Sequence, residues 1–394
     1  MGYKTATPVQ EQVMKPILAG RDVLASAQTG TGKTAAFLLP IIHKLLTEEH
    51  SENHINALII VPTRELAVQI AGNMEGLGYF TNVSCMPVYG GGDGNSFTTE
   101  KTALTSGVEL VVCTPGRMIA HLNMGYVDLK HVKYLVLDEA DRMLDMGFHD
   151  DLMKITGYLP KERQNLLFSA TMPPKMRDLA RKLMQDPVEV TIAVSKPPEA
   201  IVQEAFVVYE KQKSALVKHL LKRQDYTRVI VFCSRKQNVK SLTSDLKRAR
   251  FSVEEIHSDL EQDVREQVLQ DFRNKKTKIL VATDILSRGI DIDEIELVIN
   301  YDVPNDGEDY IHRIGRTARA QTKGTAYTLI TEAEQRKFAA IERLLEKEVT
   351  KSPVPEEFGE TPAYNPGEAK TFKPSGGGGF KGKKKVWKKR PPKV

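Results

Sequence analysis

Gly20-Arg21-Asp22-Val23-Leu24-Ala25-Ser26-Ala27-Gln28-Thr29-Gly30-Thr31-Gly32-Lys33-Thr34 reads as a strand, a tight loop and the start of a helix. An apolar run leads into a glycine-bearing loop, and a helical stretch, Ala35-Ala36-Phe37-Leu38, begins at once. Gly30 and Gly32 permit a tight loop whose amide hydrogens face phosphate oxygens; Lys33 supplies a point charge for the outer phosphates, and the Thr34 hydroxyl can ligate Mg2+. The positive end of the helix dipole adds to the same anion site. Ala27 stands where the general phosphate-loop pattern has Gly, so the match is imperfect. The bland alternative, a glycine turn before a helix, is weakened by the attached Gly-Lys-Thr.

Outward from this stretch, short apolar runs alternate with longer amphipathic ones. Residues 57–61, 110–113, 134–137 and 165–168 are such runs in the first half, and 228–232, 278–281, 297–300 and 325–329 in the second. Each is rich in Val, Ile and Leu, and most end abruptly in a polar or Gly/Pro-containing loop. Buried parallel strands with crossover helices read this way. The expectation is an α/β protein of two tandem doubly wound parallel-sheet domains, 1–194 and 203–350. A linker at 195–202 contains Ser195-Lys196-Pro197-Pro198-Glu199-Ala200, and a disordered basic tail fills 351–394. In such folds ligands sit beyond the carboxyl ends of the strands.

Composition narrows the class. The 394 residues suit two domains plus a tail, and 41% apolar content with a mean hydropathy of −0.34 suits a soluble globular chain. No run approaches the roughly 18–20 apolar residues of a membrane span, and no signal pattern opens the chain. A cytoplasmic protein is expected. Cys85, Cys113 and Cys233 lie far apart and form no CxxC pair, so neither a zinc site nor a disulfide framework is indicated. The net charge of +5 conceals a concentration: Lys381, Lys383, Lys384, Lys385, Lys388, Lys389, Arg390 and Lys393 follow Ser375 with no acid among them. With Phe380 and Trp387 interleaved, this tail reads as an auxiliary tether for a polyanion, against the blander solubilising or membrane-surface readings.

Tyr134-Leu135-Val136-Leu137 delivers Asp138-Glu139 at a strand end. Phosphoryl transfer to water needs a carboxylate that holds the metal and a group that orients the water. Asp138 suits the first role and Glu139 the second. With the phosphate loop upstream, these residues read as a nucleotide-hydrolysing site. A small-molecule kinase could carry both features.

The surrounding residues are more specific. Asp138-Glu139-Ala140-Asp141 is followed by Ser169-Ala170-Thr171 and preceded by Pro62-Thr63-Arg64-Glu65-Leu66, Gly90-Gly91 and Thr114-Pro115-Gly116-Arg117. The second half carries Gln262 and Arg265, then Ala282-Thr283-Asp284, Ser287-Arg288-Gly289-Ile290-Asp291, and His312-Arg313-Ile314-Gly315-Arg316-Thr317-Ala318-Arg319. In this order the series resembles the DEAD-box ATP-dependent RNA helicase family over about residues 2–345, most closely its bacterial RhlE-type subgroup. The resemblance implies two RecA-like domains, ATP and Mg2+ as cofactors, and RNA as a sequence-independent partner, with local duplex unwinding or ribonucleoprotein remodelling as the activity.

The resemblance also implies roles. Gln10 would read the adenine edge, since an amide donates and accepts at once. Ala27, Gln28, Thr29, Gly30, Thr31, Gly32, Lys33 and Thr34 would hold the nucleotide, with Asp291 on the ribose and Thr34 and Asp138 on the metal. Lys33, Asp138, Glu139 and His312 would serve catalysis, and Arg316 and Arg319 would be arginine fingers that act only when the domains close. Pro62, Thr63, Arg64, Gly91, Thr114, Pro115, Gly116, Arg117 and Thr283 would line the RNA groove, positioning a backbone without reading bases. Departures stand beside this pattern. Nine residues precede Gln10, so the family's upstream aromatic is absent and weakened nucleotide affinity is expected. Ala318 replaces a usual Gly, Ser287 a usual Ala and Ala6 a usual Pro. Two other classes share most of the motifs: an ATP-gated RNA clamp or annealing chaperone, and a DNA helicase or translocase.

Overall fold

The computed structural model describes residues 5–27, 30–91, 94–192, 201–284, 295–305, 307–317 and 324–367. Two seven-stranded parallel sheets occupy the two halves of the chain. The first contains β1 (Val23–Ser26), β2 (Ala57–Ile60), β3 (Cys85–Val88), β4 (Leu110–Cys113), β5 (Tyr134–Leu137), β6 (Gln164–Ser169) and β7 (Val188–Thr191), in the order β3-β4-β2-β5-β6-β1-β7. Helices α1 (Pro8–Leu18), α2 (Lys33–Thr47), α3 (Arg64–Leu77), α4 (Gly94–Ser106), α5 (Pro115–Asn123), α6 (Ala140–Asp145), α7 (His149–Thr156) and α8 (Pro174–Leu183) lie between and before them.

The apolar runs become central strands because both faces of the sheet are covered. Along β2, β4 and β5 successive side chains enter opposite cores: Leu58, Ile60, Val111, Cys113, Leu135 and Leu137 face one, and Ala57, Ile59, Leu110, Val112, Tyr134 and Val136 the other. Each fully buried Leu, Ile or Val stabilises the fold by about 1.5–3 kcal/mol. The edge strand β3 carries Pro87, which an interior strand would not tolerate.

The second sheet holds β8 (Ile201–Val207), β9 (Val229–Phe232), β10 (Val253–Ile256), β11 (Ile279–Ala282), β12 (Leu297–Asn300), β13 (Gly324–Ile330) and β14 (Thr350–Lys351), in the order β10-β11-β9-β12-β13-β8-β14. Its described helices are α9 (Lys213–Leu221), α10 (Lys236–Arg248), α11 (Gln262–Arg273), α12 (Gly307–Ile314) and α13 (Gln335–Leu345). The two tandem parallel-sheet domains expected from the sequence are therefore present. Most of the linker expected at 195–202 lies outside the described residues, and Ile201 and Val202 open β8.

The described chain continues past residue 351, where loss of apolar pattern led us to expect only disorder. Lys351 pairs with Ala205 of β8, Tyr364 donates to Glu342 Oε2 (2.8 Å), and Gln335 Nε2 donates to Ala363 O (2.7 Å). A few polar clamps order a segment that has little core of its own. The basic run after Ser375 lies outside the described residues.

Candidate functional site

Strand order sorts the expected site residues along one rim. The ends of β5, β6 and β1 are consecutive in the first sheet, so the loop at 27–34, the four residues 138–141 and the turn at 169–171 are neighbours. Beyond β5 the same rim continues with the ends of β2, β4 and β3, which carry residues 62–64, 114–117 and 90–91.

Gly30 and Gly32 have left-handed backbones, with φ of +79° and +88°, a geometry that gathers amide groups into an anion nest. At Gly32 a Cβ would fall 2.6 Å from Gln10 Nε2. Gln10 is buried under the loop, donating from Nε2 to Gly32 O (3.1 Å) and accepting at Oε1 from Thr7 N (3.0 Å). The residue expected at the adenine edge is thus braced against the phosphate loop, keeping one further proton and one further lone pair for a base. Lys33, in the first turn of α2, donates to Ala27 O (2.8 Å), which holds its charge over the loop.

Across β6 lie the acids. Burial raises the Asp138 carboxyl to about 6, against the lowering influence of Lys33 and with Glu139 adding to the rise. A hydroxyl at Thr34 and a carboxylate at Asp138 form an all-oxygen donor set, which fits a hard cation such as Mg2+. Glu139 has a left-handed backbone (φ +51°, ψ +46°), a conformation that costs a residue with a side chain about 1–2 kcal/mol. Its buried Oε2 accepts no hydrogen bond, and Arg142 NH1 lies 3.8 Å away. Strain and an unmet acceptor coincide at the residue assigned to the attacking water. Asp141 instead is structural: its Oδ2 accepts from Thr171 N (3.1 Å) and Thr171 Oγ1 (3.0 Å), tying β5 to β6.

The other half of the rim uses little free charge. Thr63 caps α3, its Oγ1 accepting from Leu66 N (3.3 Å). Gly91, with φ of +96°, packs so near Arg64 that a Cβ would collide with the guanidinium. Thr114 and Pro115 begin α5 and leave its first amides at the rim. Arg117 is braced from the side. Its Nε donates to Glu100 Oε2 (2.6 Å) and its guanidinium lies 4.5 Å from the Phe97 ring centroid.

The second domain meets this rim. Arg64 NH1 donates to Gln262 Oε1 (3.1 Å), Glu65 pairs with Arg265, and Arg142 NH2 donates to Asp284 O (3.2 Å). Burial, with Arg265 close by, lowers the Arg64 pKa. Asp284 is held in turn by Arg313, whose Nε and NH2 reach its two carboxylate oxygens at 2.6 and 2.8 Å. Arg313 is fully buried and also donates to Asp302 O (2.9 Å). His312 and Arg316 flank it and are buried, with Arg316 Nε donating to His312 O (3.3 Å). The buried Thr283 Oγ1, after β11, has no hydrogen-bond partner.

Gln28, Thr29, Asp291, Ala318 and Arg319 lie outside the described residues. Glu65, Glu100, Arg142, Asp284 and Arg313 received no role from the sequence, although the i,i+3 spacing of Gln262 and Arg265 places both on one face of α11.

Comparison with known proteins matches this geometry. Residues 7–179 fit the DEAD/DEAH box helicase model, and residues 212–321 the helicase conserved C-terminal domain. The ATP-dependent RNA helicase CshA of Listeria monocytogenes is 42% identical over 88% of this chain, which spans 66% of that protein. The DEAD-box ATP-dependent RNA helicase CshA of Geobacillus kaustophilus is 40% identical over 90% of this chain and is covered over 75% of its own length. Among solved structures, S. cerevisiae Dbp5 bound to RNA and ADP BeF3 superposes with a TM-score of 0.81 at 29% identity, over 90% of this chain and 92% of that one. A score that high over both halves requires the two domains to be arranged alike.

Proposed function

The chain belongs to the DEAD/DEAH box helicase family, and we propose that it is an ATP-dependent RNA helicase. It would couple ATP binding and hydrolysis to sequence-independent RNA binding and to local duplex unwinding or ribonucleoprotein remodelling. The observation that carries this reading is the bond from Arg142, beside the catalytic acids, to the Asp284 carbonyl of the other domain. Asp284 is gripped by Arg313, near the end of α12, and Arg316 lies three residues on, in the turn that follows the helix. Domain closure and delivery of an arginine to the acids thus become one movement.

In this reading residues 27–34 cradle the phosphates, Gln10 and Asp291 fix the base and ribose, and Lys33 neutralises the outer phosphates. Thr34 and Asp138 would hold Mg2+, whose positive charge would offset that of the phosphates. Glu139 orients the attacking water with its unmet oxygen, His312 joins the second domain to the acids, and Arg316 and Arg319 stabilise charge developing in the transition state. Pro62, Thr63, Arg64, Gly91, Thr114, Pro115, Gly116 and Thr283 face the RNA backbone. The basic run after Ser375 serves as an RNA tether. No described helix is long and apolar enough to cross a membrane.

The test is ATP hydrolysis without nucleic acid, with single-stranded RNA and with matched DNA, beside Lys33→Ala. Stimulation by RNA alone, lost in the variant, is expected; equal stimulation by DNA would favour a DNA motor, and indifference to both would sink the coupling. Removing residues 375–394 is expected to weaken RNA binding and flatten its dependence on salt, and unchanged affinity would remove the tether.

A further inference from the structure

Arg313 and Lys213 are both fully buried in the second domain, and one peptide group links their surroundings. The carbonyl of Asp302 accepts from Arg313 NH1 (2.9 Å). On the other side of the same rigid plane, Val303 N donates to Glu334 Oε1 (3.0 Å). Lys213, the first residue of α9, closes the ring by donating to Asp302 Oδ1 (2.9 Å) and Glu334 Oε2 (3.4 Å). Asp302 Oδ2 accepts in turn from Ser234 N (2.8 Å) and Asn238 Nδ2 (3.2 Å). Burial works against both charges, yet Asp302 raises the Lys213 pKa and Lys213 lowers that of Asp302, so both stay ionised. The chain neighbours of Lys213 and Glu334 hold the C-terminal segment. Gln212 Nε2 donates to Phe358 O (2.8 Å) and Glu360 O (2.9 Å). Gln335 donates from Nε2 to Ala363 O (2.7 Å) and accepts at Oε1 from Asn365 N (2.7 Å).

We propose that Lys213 and Glu334 are positioning residues for ATP hydrolysis, and that residues 358–365 fasten them from outside. This rests on the arginine-finger reading given above. The 302–303 peptide fixes where Arg313 stands as it grips Asp284, and the Asp284 carbonyl receives Arg142 of the first domain. Arg316 follows Arg313 by three residues. A shift of that peptide plane therefore moves Arg313, and with it the arginine assigned to the developing charge. Misplacement of a reacting group by about 1 Å is enough to cost about a hundredfold in rate. The C-terminal segment thus belongs mechanically to the hydrolytic site.

The experiment measures RNA-stimulated ATP turnover of the full chain well below its melting temperature. Lys213→Met and Gln335→Ala are made alone and in combination with Arg316→Ala. Lys213→Met is expected to lower kcat about a hundredfold and Gln335→Ala about fivefold, both with KM for ATP unchanged. Neither should slow the Arg316→Ala chain further, because each acts through that arginine. Losses that multiply with Arg316→Ala, or a kcat that holds while only Tm falls, would make the cluster ordinary packing and overturn the proposal. Gln335→Ala removes two peripheral bonds and keeps the buried ion pairs, so it still decides the matter if Lys213→Met fails to fold. An unaltered chain whose turnover ignores RNA, or Arg316→Ala at nearly the full rate, would overturn the finger reading itself and this inference with it.

Discussion

The two halves of the first sheet's rim are built from opposite materials. Around β5, β6 and β1 the site holds charge under tension: a buried Asp138 raised to about 6, a left-handed Glu139 with an unmet oxygen, and Lys33 poised over a carbonyl. Around β2, β4 and β3 the charged side chains have partners, Arg117 with Glu100, Arg64 with the Gln262 amide, and Glu65 with Arg265. Hydroxyls and backbone amides stand beside them. The difference follows from the tasks assigned to each half. Bond breaking needs groups that are more stable once the transition state is present; holding a repeating backbone without regard to sequence needs only fixed donors at the right spacing.

Substitutions can break this contrast in graded steps. Arg316→Ala should lower RNA-stimulated ATP turnover about a thousandfold, as loss of an arginine finger does, while nucleotide and RNA binding persist. Turnover within tenfold of the unaltered chain would make Arg316 a packing residue like Arg313. Glu139→Gln should cost about a hundredfold in steady-state turnover, the size of a general-base contribution, and a full rate would move the water-orienting role elsewhere.

Smaller effects are expected on the matched side. Gly91→Ala must displace the Arg64 guanidinium, and RNA affinity should drop about tenfold, close to 1.4 kcal/mol; unchanged RNA affinity would detach Gly91 from the groove. The Glu65–Arg265 pair, buried at the domain boundary, should show a coupling of about 1 kcal/mol in a double-mutant cycle on RNA-stimulated turnover, and additive losses would deny it a role in closure. The smallest effect reverses sign. Glu139→Gly removes a strained backbone and an unmet buried acceptor, and calorimetry should show stability rising by about 0.5–1 kcal/mol although activity is lost. A lower Tm would mean that Glu139 is comfortable where it sits.

The central strands were legible because burial on both faces writes continuous apolar runs such as Leu110-Val111-Val112-Cys113. The edges were not. Val253-Glu254-Glu255-Ile256 is apolar only at its two ends because β10 is an edge strand covered less fully, and β14 is two residues whose pairing depends on β8 being already in place. The nucleotide loop and the acids were legible as local motifs. Contacts that join the domains were not, since Arg64 and Gln262 are 198 residues apart and neither side chain announces the other. Arg117 shows what a motif leaves out: its position beside Gly116 matches the family, while the bracing of its side chain by Glu100 and Phe97 comes from another helix.

The short strand β14 has a mechanical consequence. It lies along β8, the first strand after residues 193–200, and β8 is bonded on its other side along all of β13. Tension drawn on the chain beyond residue 367 first loads the Tyr364–Glu342 and Asn365–Gln335 bonds, and then shears the β8–β14 ladder. The second domain therefore has a mooring point on the strand next to the crossing between domains. Force that reaches residue 351 is therefore passed through β8 to β13, into the middle of the second sheet and not to a free chain end.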